Sequence, residues 1–116
     1  MKTALAAYAK THTSSLSGPI LESEALVKAA HLLEKARART NDPVALGEAL
    51  RFNLKLWTLF QADLSDKENA LPEDLKAQLL SLSLFMDKST ARLIEGHDTE
   101  TLQAMIDVNR TLAFSS

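Results

Sequence analysis

In this sequence of 116 residues the side chains best suited to metal or proton chemistry are three histidines, His12, His31 and His97, and none has a second histidine at metal-ligand spacing. A zinc site needs three or four ligands that converge, normally supplied by such pairs. His31 and Glu34 lie about one helical turn apart and are able to share a cation, but at that spacing a solvated pair on a helix surface is the ordinary outcome. The run Asp63-Leu-Ser-Asp-Lys-Glu-Asn69 has the look of a calcium loop. It lacks Gly at the sixth position and has Asp74 where a closing Glu is needed, so it reads as a turn. No glycine-rich phosphate loop is present, and no serine has a histidine and a carboxylate in supporting positions. The absence of cysteine excludes disulfides, zinc-thiolate sites and thiol nucleophiles together. The expectation is a protein that is not an enzyme, with no cofactor, no metal and no small-molecule substrate.

Two polar residues stand out by position instead. Asn53 and Asn109 fall in the middle of apolar helical arcs, where an unpaired amide costs about 1–3 kcal/mol. Either each amide is satisfied inside the protein, against loop backbone or against the other, and so fixes helix register, or the two line a groove and bond a partner's backbone. Trp57, the only tryptophan, lies at the centre of the same stripe as Asn53. Burial of its indole and an acceptor for its N–H are expected there.

The elements that carry these residues are legible from breaks and periodicity. A short helix over 2–10 is followed by a Ser/Thr-rich loop over 11–18; a second helix starts near Pro19 and runs to about Arg39. Asn41-Asp42-Pro43 ends it and starts a third, with Asp42 as N-cap, that runs to about Leu64. Pro72-Glu73-Asp74 opens a fourth with carboxylates in its first turn, Gly96 closes it, and Asp98 caps a fifth ending near Ala113.

Advancing each residue by about 100° shows what the helices face. Leu26, Ala29, Ala30, Leu33 and Ala36 share one arc of the second helix, and Leu102, Met105, Ile106, Asn109, Leu112 and Ala113 one arc of the fifth. On the third, Leu46, Leu50, Asn53, Leu54, Trp57, Phe60 and Leu64 form a stripe that Phe52, Leu56 and Leu59 widen, leaving a narrow wet edge at Glu48, Arg51, Lys55 and Thr58. A helix so apolar is expected at the hub of a bundle. The fourth has a core stripe in Leu75, Leu79, Leu82, Met86 and Leu93 and a second one, Ala77, Leu80, Leu84 and Ala91, on its far side. That second stripe either packs inside the protein or meets a partner.

The fold class expected is all-α, a compact bundle of about four to five helices, and at this length a single domain over 1–116. Apolar residues at 46% and charged residues at 24% fit a folded globular domain rather than a disordered one. Without an apolar run of some 18 residues or a cleavable leader, no membrane insertion and a cytoplasmic location are expected. The net charge of -2 is unevenly spread, with six basic and three acidic residues over 28–55 against five and ten over 56–116. A nucleic-acid footprint normally shows a stronger basic stripe with interleaved aromatics.

Several segments in order carry a family likeness. Asn53-Leu-Lys-Leu-Trp57, Gln61-Ala-Asp-Leu64, Asn69-Ala-Leu-Pro72 with Leu75, Leu79-Leu-Ser-Leu-Ser-Leu-Phe85 and Ile106-Asp-Val-Asn109-Arg110 together resemble the FlaF family of flagellar biosynthesis regulators. The resemblance implies a cytoplasmic, non-enzymatic protein that binds flagellin and supports its synthesis and export, with FlbT as functional counterpart and possible second partner. Flagellin's ends are amphipathic segments, so a chaperone for them has to cover apolar stripes. The residues expected to meet such a partner are Asn53, Trp57, Leu80, Leu84 and Asn109. The alternative is a regulator acting on flagellin mRNA together with or against FlbT.

Overall fold

The structure, a computed structural model, describes residues 23–114. The helix expected over 2–10, the loop over 11–18 and the start at Pro19 lie outside the described residues. Among the described residues there are four helices and no strand: α1 (Ser23–Ala38), α2 (Pro43–Leu64), α3 (Glu73–Glu95) and α4 (Thr99–Ala113). The protein is all-α, as the periodicity requires.

Local chemistry sets the boundaries. Asp42 accepts the Ala45 backbone N–H at 3.0 Å and Pro43 supplies a first residue with no donor to satisfy, so α2 starts there. At the end of α2, the Asn69 amide donates to the Asp63 carbonyl at 3.1 Å and accepts the Leu71 N–H at 3.0 Å, tying the loop into a buried turn. Asp98 accepts the N–H groups of Glu100 and Thr101 and starts α4. Gly96 has a φ of 178°, extended backbone that any residue adopts, so the break after α3 rests on the Asp98 cap rather than on glycine's left-handed freedom.

Packing follows side-chain size. α1 buries Leu26, Ala29, Ala30, Leu33 and Ala36, and this alanine-rich face lets it lie most extensively against α4 and next against α2. α2 touches α1 and α3 along its length but reaches α4 through long side chains, Trp57 above all. Trp57 and Phe60 stack edge to face at 5.2 Å, an arrangement that adds about 0.5–1.5 kcal/mol to their burial. α3 leans mainly on α2, burying Leu75, Leu79, Met86 and Leu93, and packs more lightly against α4.

Two assignments of the periodic reading are corrected. Leu54, placed in the α2 stripe, is 40% exposed, because its arc lies beyond the reach of the neighbouring helices. Leu82 is only half-buried, while Ser83, Ser89 and Thr90 on the same helix are buried. Thr90 is satisfied by its own helix, its Oγ1 donating to the Met86 carbonyl at 2.8 Å, whereas the buried Ser83 Oγ has no hydrogen-bond partner among the described residues.

Candidate partner-binding surfaces

The two asparagines resolve into one buried chain of hydrogen bonds. Trp57 Nε1 on α2 donates to Asn109 Oδ1 on α4 at 3.0 Å; Asn109 Nδ2 donates to Asn53 Oδ1 at 2.8 Å; Asn53 Nδ2 points at Met86 Sδ on α3 at 3.4 Å. Four side chains from three helices thus bond one another in the interior, with Asn53 and Asn109 at 0% exposure and Trp57 at 1%. Of the alternatives open for the asparagines, satisfaction of each amide by the other is the arrangement found. Asn53, Trp57 and Asn109 present no surface to a partner in this arrangement, and their geometry fixes the register of α2 against α4.

Leu80 and Leu84 are placed differently. Leu84 is 57% exposed, and Leu80 is half-buried, where with Ala77 it lines a shallow hollow beside Leu64 and Ser65 at the end of α2. Ala77 and Ala91 beside them are exposed, and Ile94, 74% exposed, extends the row. The spacing 77, 80, 84, 91, 94 is that of alternating three- and four-residue steps with one gap at Asp87, whose carboxylate accepts from Gln61 Nε2 on α2 at 3.0 Å. An apolar seam of that spacing is what a second helix packs against.

A second apolar surface, which periodicity alone did not single out, lies between α1 and α2. Ala25, Phe52, Leu56 and Leu59 form the floor of a groove of about 510 Å³, with Glu24 and Lys28 on the α1 side and Lys55 on the α2 side. The clue in the sequence is the excess width of the α2 stripe, in which Phe52 and Leu59 stay only half-buried beside the buried Leu56.

Titratable groups are largely occupied by structure. Glu34 takes part in ion pairs with Arg37 and with Arg110 of α4, so it is not shared with His31. Hydrogen bonds from the Thr101 hydroxyl and backbone, with Arg92 at 2.9 Å adding its charge, hold the Asp98 carboxyl below its ordinary value of 3.8. Among the described residues no three histidine, cysteine or acidic side chains gather as a metal site needs, and no helix is long and apolar enough to cross a membrane.

Comparison with known proteins places this architecture. No curated protein and no solved structure matches the chain. The family model for flagellar protein FlaF matches residues 4–114, nearly its whole length, and the chain therefore belongs to the FlaF family of flagellar proteins.

Proposed function

We propose that this protein binds helical segments of flagellin in the cytoplasm and supports flagellin synthesis and export as a chaperone, without catalysing a reaction. The observation that carries the reading is the outward seam of α3, where Ala77, Leu84, Ala91 and Ile94 stand exposed at helix-docking spacing on a bundle in which Asn53, Trp57 and Asn109 already bond one another. An amphipathic helix laid along that seam would anchor at i, i+3 or i+4 and i+7, and it would exclude water from side chains that are wet in the free protein. Membership of a flagellar family supports flagellin as the source of that helix. The test is co-expression with the host flagellin followed by co-purification, with FlbT and the flagellin message as parallel baits. Recovery of flagellin supports the chaperone reading, and recovery of FlbT or message alone refutes it.

One observation favours a second reading, action on flagellin mRNA with or against FlbT. Lys28, Lys35, Arg51 and Lys55 have no carboxylate partner among the described residues and are exposed on α1 and α2. Salt separates the two, because phosphate contacts lose affinity steeply as salt rises and apolar seams respond little.

A further inference from the structure

The cations on α1 and α2 border the apolar groove between those helices, and the combination selects its occupant. Ala25, Phe52, Leu56 and Leu59 give the groove an apolar floor, while Lys28 stands on one bank and Lys55 on the other. The two lysines are anchored differently: Lys28 Nζ sits over the Phe52 ring, 4.9 Å from its centroid, and Lys55 is carried on α2 one turn beyond Arg51. Of the six basic residues over 28–55, Arg37 and Arg39 pair with Glu34 and Asp42, which leaves Lys28, Lys35, Arg51 and Lys55 uncompensated around this face. Glu24 at the groove's α1 end and Glu48 on α2 offset only part of that charge.

We infer that the α1–α2 groove is a second docking site, and that it takes an amphipathic helix of a partner protein whose apolar stripe is bordered on both shoulders by carboxylates. The inference rests on the reading of the protein as a helix-binding module but concerns a surface separate from the α3 seam. An apolar stripe fills the floor, and the flanking carboxylates meet Lys28 and Lys55, so that charge sets which helices enter and in which orientation. RNA fits the site less well. Base stacking needs open aromatic faces, and the one aromatic ring in the groove, Phe52, already has the Lys28 ammonium over it.

The test uses the full chain and two synthetic helical peptides with the same leucine stripe, one with Glu and one with Lys on both shoulders. The Glu peptide should bind, and amide NMR shifts should gather at Ala25, Phe52, Lys55 and Leu59. Both lysines are exposed, so a Lys28→Glu/Lys55→Glu variant should keep its helicity by circular dichroism. It should bind the Glu peptide about tenfold or more weakly and gain affinity for the Lys peptide, since charge complementarity is then reversed. Equal binding of both peptides, shifts confined to the α3 seam, or binding of single-stranded RNA in place of either peptide would each overturn the inference. Co-purified flagellin separates this outcome from the proposed function. Loss of flagellin by the wild-type protein with retention of the Glu peptide refutes the flagellin reading alone, whereas a charge-selective site that is absent while flagellin is retained refutes the groove alone.

Discussion

Replacing Asn109 by Ala severs the buried chain at its centre. The substitution leaves the Trp57 N–H and the Asn53 carbonyl oxygen without partners in positions that are 1% and 0% exposed. Each orphaned group costs roughly 1–3 kcal/mol, so the variant should lose about 2–6 kcal/mol. A domain of this size holds about 5–15 kcal/mol in total, so the variant sits at the margin of folding. At roughly 4 °C per kcal/mol its thermal midpoint should drop by about 8–24 °C. Asn53→Ala orphans only the Asn109 amide donor, and the double variant orphans only the Trp57 N–H. Denaturant unfolding of all four proteins should therefore show a double variant that loses markedly less than the sum of the singles, with a coupling of about 2–6 kcal/mol for the two orphaned groups that it avoids. Trp57 fluorescence, expected to be blue-shifted in the native protein because the indole is 1% exposed, should follow the same transition. Single losses under about 1 kcal/mol that simply add would refute the claim that these side chains satisfy one another.

Three further outcomes follow from particular contacts. Ala29→Leu, at the fully buried face where α1 meets α4, should overpack that interface and cost about 1–3 kcal/mol in chemical denaturation. Asp98→Ala should lower the thermal midpoint at neutral pH by removing the α4 cap. Because the folded Asp98 carboxyl titrates below 3.8, its contribution is present above that value and disappears as pH falls through the folded pKa, so wild type and variant should converge in acid. Glu73→Gln, which weakens only a pair with Lys76 at 3.4 Å through a carboxylate 93% exposed, should change stability by less than about 1 kcal/mol at any salt concentration.

How much was legible in the sequence differs from helix to helix. The buried faces of α1 and α4 follow the 3.6-residue period residue for residue, because each helix has one apolar arc and one neighbour set to cover it. α2 and α3 carry apolar residues over more than one arc, and periodicity cannot say which arc a neighbour covers. Leu54 therefore reads as part of the apolar stripe and is wet, while Ser83 and Thr90 read as polar and are buried. Asn53 and Asn109 were recognisable as misfits in apolar surroundings. Their pairing, across 56 positions of sequence, depends on tertiary approach that no local pattern encodes. The turn at Asn69 was readable as a polar break, but not the two hydrogen bonds by which its amide closes it. The α1–α2 groove is not legible in the periodicity because it belongs to no single helix. Its floor comes from the surplus width of the α2 stripe and its banks from lysines that look like ordinary solvated charges.

The central claim, that flagellin is held along the outward seam of α3, is tested most directly with Leu84→Asp. Leu84 is 57% exposed, so the variant should keep its helicity and most of its thermal stability. Placed against a partner's apolar stripe, the carboxylate would be desolvated without a counter-charge, and co-purified flagellin should fall to background while wild type run in parallel retains it. A folded Leu84→Asp protein that retains flagellin as wild type does would contradict the account.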